Sequence, residues 1–198
     1  MSTARDLVLV VLGLPSGRTV EQGDLSLAPA GAEAVDLLES GALTLDGEPM
    51  VPGVRTAAGD PLLDEAAAAL VRREPYETVT DWLWRRGDGL TAAYVEDLTR
   101  AGLVVRPRRR GLSVRGTDTV PADTPERRRA EERLASGDPV LAALTAALEA
   151  GDPPPDAGEP GEAVTTVLAA VGNAVTEREA ARLRRDVEHA AFDNMWRA

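Results

Sequence analysis

Apolar residues recur at the three- and four-residue spacing of amphipathic helices along most of this 198-residue chain. The pattern is clearest between residues 59 and 105, where it predicts three helices followed by a strand. Asp60 is placed to cap the first of these helices, and the second is predicted to begin at Pro75. The third is predicted to be capped by Thr91 and to stop at Gly102.

The same periodicity predicts further helices on both sides of this block. They cover about residues 7–14, 31–40, 125–135, 139–150 and 164–175. The segment from Pro15 to Pro29 is typical of a loop. Thr176 and Glu179 have the spacing of a capping box, which predicts a separate last helix that ends near Trp196.

Two short hairpins interrupt the helical pattern. Leu43 and Leu45 alternate with polar residues before the turn signal Asp46-Gly47. The second predicted hairpin joins residues 103–105 to residues 112–114. Aromatic residues make up only 3% of the chain, so the core must consist of Leu, Val and Ala, which suits packed helices. The sequence therefore predicts a mainly α fold: one helical domain over residues 1–198 with two small β-hairpins.

The second hairpin is the most unusual local feature, because residues 99–117 contain six arginines and no acidic residue. The five of them that are predicted to lie on or beside its tip are Arg106, Arg108, Arg109, Arg110 and Arg115. Guanidinium groups bind phosphate in a bidentate manner, so the tip is a candidate anionic-lipid-binding site. The alternative is a solvated tip whose charges keep a sheet edge from pairing. All 22 basic residues are arginine, which indicates a GC-rich coding bias and weakens arginine as evidence for phosphate binding.

The whole-chain charge restricts the partners. A net charge of −11 disfavours binding of nucleic acid or anionic lipid by the whole surface, so such binding requires a locally basic face. The predicted helix before the arginine hairpin offers Glu96 and Asp97 and only Arg100, a poor set for DNA contacts, and nucleic acid is not an expected partner. No segment has the roughly 20 apolar residues of a membrane span. The absence of cysteine fits a cytoplasmic location.

Candidate catalytic and metal-binding residues are sparse. Neighbouring acidic residues on a helix point about 100° apart, so the pair Asp64-Glu65 does not converge on one point. His189 is the only histidine, and the chain has no cysteine to complete a soft metal site. Glycine-rich phosphate loops are also missing. The sequence predicts a protein that is not an enzyme and that binds no metal or cofactor.

Several segments resemble the Golgi phosphoprotein 3 family. The central block carries the most specific match, and the flanks support it. The matching residues include Gly59-Asp60, Leu62 to Ala66, Pro75, Glu77 to Val79, Trp82, Leu98, Ala101 to Val104, Asp6 to Leu9, Leu12 to Leu14, Val35 to Leu38, Leu43 and Leu45. The resemblance implies a mostly helical domain on membranes. Eukaryotic members bind phosphatidylinositol 4-phosphate and act as adaptors that retain glycosyltransferases in the Golgi.

The resemblance implies a lipid site that consists of a tryptophan and three arginines in the family. This chain departs from that pattern. Ungapped matching puts those residues at Glu21, Ala30, Asp88 and Thr91, so none of the four is retained. A displaced residue such as Arg18 could substitute at the first position. The fold is expected to transfer and the specific head-group site is not.

Two functions follow as expectations. The first is a non-catalytic peripheral adaptor that docks on anionic phospholipid through the arginine hairpin. The alternative is a protein-binding scaffold that has kept the fold and lost lipid recognition. The sequence leaves open whether the chain forms a homo-oligomer. Phe192, Met195 and Trp196 could form an oligomer contact or a lipid contact, although docking on the domain's own core is the default for a chain end.

An acidic, proline-rich linker is predicted at about residues 151–161.

Overall fold

The structure is a computed structural model that describes residues 2–14, 22–54, 57–105, 119–149 and 158–195. Of residues 22–24 and 190–195 only the backbone is described. The helices are α1 (Thr3–Gly13), α2 (Gln22–Glu39), α3 (Pro61–Ala69), α4 (Val79–Gly87), α5 (Leu90–Arg100), α6 (Pro125–Ala135), α7 (Pro139–Leu148) and α8 (Glu162–Met195). The strands are β1 (Leu43–Leu45), β2 (Met50–Pro52), β3 (Val104–Val105) and β4 (Val120–Pro121). The predicted mainly α fold with small hairpins is confirmed.

Helix α2 lies at the centre and packs against α1, α3, α4, α5, α7 and α8. Its small residues allow this close packing: Ala28, Ala30, Ala32 and Ala34 are fully buried. A Cβ added at Gly31 would clash with the side chain of Val171 on α8. Burial of α2 on nearly every side explains why its apolar pattern has no clear polar face.

The start of α2 corrects the sequence prediction, which ended the loop at Pro29. The helix begins at Gln22 and includes Pro29. Proline costs about 3 kcal/mol inside a helix because it lacks an N–H and crowds the preceding turn. Leu25, Leu27 and Ala28 are buried in the turn around it, and their packing offsets that cost.

Two other helix starts also differ from the predictions. Helix α4 begins at Val79 rather than at Pro75, because Thr78 and Asp81 form a reciprocal capping box. Helix α5 begins at Leu90, one residue before the predicted cap Thr91, whose side chain is buried. The prediction for α3 is confirmed: Asp60 accepts hydrogen bonds from the N–H groups of its first turn.

The first predicted hairpin is confirmed, with Leu43 paired to Pro52 and Leu45 to Met50. For the second, β3 pairs antiparallel with β4, matching Val104 to Pro121 and Val105 to Val120. Residues 112–114, the predicted second arm, lie outside the described residues. Only the first arm of that hairpin is therefore described at its predicted place.

Helix α8 corrects the prediction of two helices at the C-terminal end. It runs without a break through Thr176, whose hydroxyl donates to the carbonyl of Gly172 at 2.9 Å and caps nothing. Val167, Val171, Ala174 and Val175 are buried in the core, but none of the described side chains from 176 to 189 is buried. The second half of α8 therefore extends beyond the packed core.

Candidate functional site

The predicted lipid-binding residues Arg106, Arg108, Arg109, Arg110 and Arg115 lie outside the described residues. The structure describes the chain up to Val105 and again from Thr119. Helix α5 ends at Arg100, and Gly102, two residues later, has a φ of 73°, a left-handed conformation that glycine adopts without strain, so that the chain turns there into β3. The N–H of Ala122 then donates to the carbonyl of Leu103 at 2.8 Å. Strands β3 and β4, which precede and follow the arginine-rich segment (residues 106–115), are thus paired with each other.

The strand pair exposes two apolar side chains. Val105 is 44% exposed and Val120 is 39% exposed, and they are direct partners across the two strands. Val104, in contrast, is buried against the core. The outer face of this pair is therefore a small apolar patch beside the arginine-rich segment.

Two arginines near this strand pair are neutralised by acidic neighbours. Arg100 contacts Glu96 at 3.0 Å and Asp97 at 3.4 Å. On α6, which packs with α1 beside β4, Arg127 contacts Glu131 at 2.7 Å. Paired surface charges contribute little net field. Arg100 and Arg127 therefore add little to a positive field in this region.

The positions matched to the family's lipid-site residues lie where α2, α4 and α5 meet. Ala30 is fully buried, and its carbonyl accepts a hydrogen bond from the indole N–H of Trp82 at 3.0 Å. Thr91 is 7% exposed, and its hydroxyl is 3.0 Å from that of Ser26. Asp88 is exposed, whereas Glu21 and Arg18 lie outside the described residues. The three described positions share one region, and none of them is basic.

A buried ionic network that the sequence analysis missed joins the same helices. Glu33 is fully buried on α2 and accepts two hydrogen bonds from Arg86, at 2.8 and 2.9 Å. The hydroxyl of Tyr94 donates to Glu33 at 3.0 Å, and Arg86 also donates to the carbonyl of Leu62. Burial raises the pKa of Glu33, although the hydrogen bond from Arg86 opposes this. A single acid in the alanine-rich stretch of α2 was the only signal for it.

This network has the character of a structural tie and not of a reactive site. Burial also raises the pKa of the Tyr94 hydroxyl, so that it remains a hydrogen-bond donor. Glu33 accepts from both Arg86 and Tyr94, and Arg86 also donates to the carbonyl of Leu62 on α3. The network therefore joins four helices, and both the carboxylate of Glu33 and the hydroxyl of Tyr94 are engaged in it.

A polar cleft of about 450 Å³ lies at the beginning of α1. The hydroxyl of Ser2 donates to Asp60 at 2.6 Å, and the backbone N–H of Thr3 donates to Asp36 at 2.8 Å. Burial raises the pKa of Asp36 to about 6, against the lowering effect of the Thr3 hydrogen bonds. The described residues contain no group of three or more side chains that could hold a metal ion. Asp36 and Asp60 therefore anchor the start of α1.

The two tryptophans of α4 differ in their exposure. Trp82 is fully buried, whereas Trp84 is 36% exposed and lies under the guanidinium of Arg178 at 5.9 Å. Arg178 belongs to α8, so this cation–π contact holds the more exposed ring against that helix.

None of the described helices is long and apolar enough to cross a bilayer.

Comparison with protein families gives one match over nearly the whole chain. The family model described as Golgi phosphoprotein 3 (GPP34) matches residues 4–193. A comparison with curated proteins found no match.

Proposed function

The chain belongs to the Golgi phosphoprotein 3 family, and from this premise we propose that it is a non-catalytic peripheral membrane adaptor. It docks on anionic phospholipid through Arg106, Arg108, Arg109, Arg110 and Arg115. The head group is recognised by its negative charge rather than by the specific structure of phosphatidylinositol 4-phosphate.

The observation that carries this proposal is the antiparallel pairing of β3 with β4. Because Val105 and Val120 are direct partners, the chain leaves and rejoins the described part of the protein at one place on either side of the arginine-rich segment. Five positive charges at one place produce a local field that the dispersed charges of the acidic surface do not cancel at short range. The exposed valine pair adds an apolar contact next to these charges.

The energies are consistent with reversible docking. Each arginine near an anionic membrane contributes about 1 kcal/mol, and these contributions are screened over about 10 Å at 0.1 M salt. The protein's net charge of −11 opposes approach of the rest of the surface to the membrane. Docking is therefore confined to one orientation and is weakened by salt.

The described positions of the family's lipid site support a general rather than a specific lipid ligand. Ala30 is buried, Thr91 bonds to Ser26, and the exposed residue Asp88 is acidic. A carboxylate repels a phosphorylated head group. Nothing at these three positions supplies the cation that a phosphoinositide requires.

The test is flotation of the full chain with anionic vesicles after the triple reversal of Arg108, Arg109 and Arg110 to glutamate. A matched control reverses three exposed arginines elsewhere, Arg72, Arg73 and Arg185, which changes the net charge by the same amount. The first variant is expected to lose vesicle binding, and the control is expected to keep most of it. Equal binding by wild type and the first variant would show that the arginine-rich segment is not the docking site.

A protein-binding scaffold without lipid recognition is the second candidate. The acidic surface and the absence of basic residues at Ala30, Asp88 and Thr91 favour it. In the same flotation experiment a scaffold stays unbound to every vesicle at low salt. It then has to retain a protein partner in a pull-down under native conditions, and failure to do so excludes this function as well.

A further inference from the structure

The second half of α8 carries an apolar stripe that faces away from the protein's own core. Leu183 is 55% exposed and Val187 is 69% exposed. At 100° per residue they lie about 120–160° around the helix from the buried residues Val167 and Val171. The stripe therefore does not pack on the protein's own core, which contacts the opposite side of α8. The side chains of Phe192, Met195 and Trp196, for which docking on the domain's own core is the default expectation, lie outside the described residues.

A groove lies beside the first half of the same helix. It has a volume of about 450 Å³, and its lining includes Glu48, Val79 and Thr80 together with residues of α8 between Glu162 and Asn173. Ala169 in this lining lies five full turns before Val187, so the groove opens on the face of α8 that carries the stripe. One face of one helix thus presents small residues in its first half and larger apolar residues in its second.

The groove is acidic, and an arginine lies beside the apolar stripe. Both charged residues that line the groove, Glu48 and Glu162, are acidic. Arg184 borders the stripe, and it has no ion-pair partner in the part of the chain that the structure describes. Residues 177–189 contain four arginines and four acids, so this part of an acidic protein is neutral overall. Two copies can approach each other here without the repulsion that the rest of the surface produces.

We propose that the occupant of the groove is the α8 stripe of a second copy of this chain. The two α8 helices pack antiparallel around a two-fold axis near Thr176 and Ala180. Leu183 and Val187 of each copy then enter the groove of the other, at the level of Asn173 and Ala169. Arg184 approaches the acidic groove. The contact is self-complementary, which is the defining property of an isologous dimer.

The direction of packing follows from the positions of the two features. The groove lies beside the first half of α8 and the stripe on the second half, so both grooves are filled together only when the helices run in opposite directions. A parallel pair would place stripe on stripe and leave both grooves empty. An antiparallel pair buries two apolar side chains per copy against Val79 and the alanines of the groove.

The first test is sedimentation of the full chain over a range of concentrations. Wild type is expected to approach twice the chain mass of 20.9 kDa as concentration rises. The double variant Leu183→Glu and Val187→Glu and the groove variant Ala169→Arg should each weaken dimerisation by at least about tenfold, or 1.4 kcal/mol. All three positions are exposed in the single copy, so the fold should persist, and circular dichroism checks this.

A matched control keeps the test specific to the stripe. Arg185 is exposed and lies about 160° around the helix from Leu183, so Arg185→Glu should leave the dimer intact. Wild type that stays monomeric at every concentration overturns the proposal. A dimer that survives the Leu183 and Val187 changes overturns it too.

Engineered cysteines test the antiparallel register, because the chain has no cysteine of its own. Ala169→Cys protein mixed with Val187→Cys protein should form a disulfide heterodimer on oxidation, whereas Val187→Cys alone should cross-link poorly. Within one copy the two positions are about 27 Å apart along the helix, which excludes a bridge inside one chain. Efficient cross-linking of Val187→Cys to itself would show stripe-on-stripe packing and contradict the groove.

Discussion

At the residue scale, buried charges hold the helices in register. Glu33, Arg86 and Tyr94 come from three different helices and meet where water is excluded. A buried ion pair adds little stability compared with apolar residues of the same shape, but removing one partner leaves an uncompensated charge. The network is therefore expected to matter more for the unique packing of α2, α4 and α5 than for overall stability.

The change Arg86→Ala tests whether buried Glu33 depends on its ionic partner. It leaves Glu33 buried beside Tyr94 alone and is expected to lower the free energy of unfolding by about 3–5 kcal/mol. Urea denaturation measures the loss. Arg100→Ala is the control, because Arg100 pairs with Glu96 at the surface with both side chains largely exposed. Its cost should stay below about 1 kcal/mol, and equal losses in the two variants would contradict a special role for the buried network.

Asp36 gives the stability a pH dependence whose sign follows from its pKa. Burial raises this pKa from 3.8 to about 6, so the folded protein holds the proton more tightly than the unfolded chain does. The stabilising contribution is complete below about pH 4 and is lost as the pH rises through 6. At neutral pH the ionised carboxylate therefore costs stability.

Asp36→Asn removes the charge and keeps an oxygen that can accept from the N–H of Thr3. The variant is expected to be more stable than wild type at pH 7.5, by at most about 3 kcal/mol. The difference should shrink as the pH falls from about 6 to about 4 and then stay constant. Melting temperatures of both proteins between pH 3.5 and 7.5 measure this, and a constant difference across the range would rule out Asp36 as the titrating group.

At the element scale, the close contact of α2 with α8 depends on a missing side chain. Gly31→Ala would place a methyl group against Val171 and is expected to cost about 1–3 kcal/mol through overpacking. The same change at Gly172 meets no atom within 4 Å and should stabilise α8 by about 0.5–1 kcal/mol. Thermal unfolding of the two variants should therefore shift in opposite directions. A shared direction would contradict the packing.

Much of the element pattern could be predicted from local signals. Asp60 before Pro61 caps α3 as expected, and α6 has the predicted bounds, Pro125–Ala135. The differences occur where tertiary packing overrides a local signal. Pro29 lies inside α2 because the helix around it is buried, and the capping signature at Thr176 is unused because α8 continues through it.

The candidate sites were predictable to different degrees. The arginine-rich segment was visible as a run of like charges, whereas the partners of Glu33 are distant in sequence and only the fold brings them together. The groove beside α8 was equally hidden, because Glu48 and Val79 reach it from different elements. Helical periodicity shows which side chains share a face, but it does not show what covers that face.

At the scale of the whole molecule, an acidic protein of the Golgi phosphoprotein 3 family is proposed to dock through one basic segment. Docking by charge and docking by a specific phosphoinositide pocket differ in their response to salt and to head-group chemistry. Long-range attraction between exposed charges falls as the ionic strength rises, whereas a desolvated pocket is much less affected. The two modes can therefore be separated with wild-type protein alone.

The most direct measurement is flotation of the wild-type chain with three kinds of vesicle at low and moderate salt. The vesicles are neutral, generally anionic, or carry phosphatidylinositol 4-phosphate at the same total charge as the anionic set. The proposal predicts equal binding to both charged sets at low salt, loss of that binding at moderate salt, and none to neutral vesicles. Binding that is selective for phosphatidylinositol 4-phosphate and resists salt, or no binding to any vesicle, would contradict it.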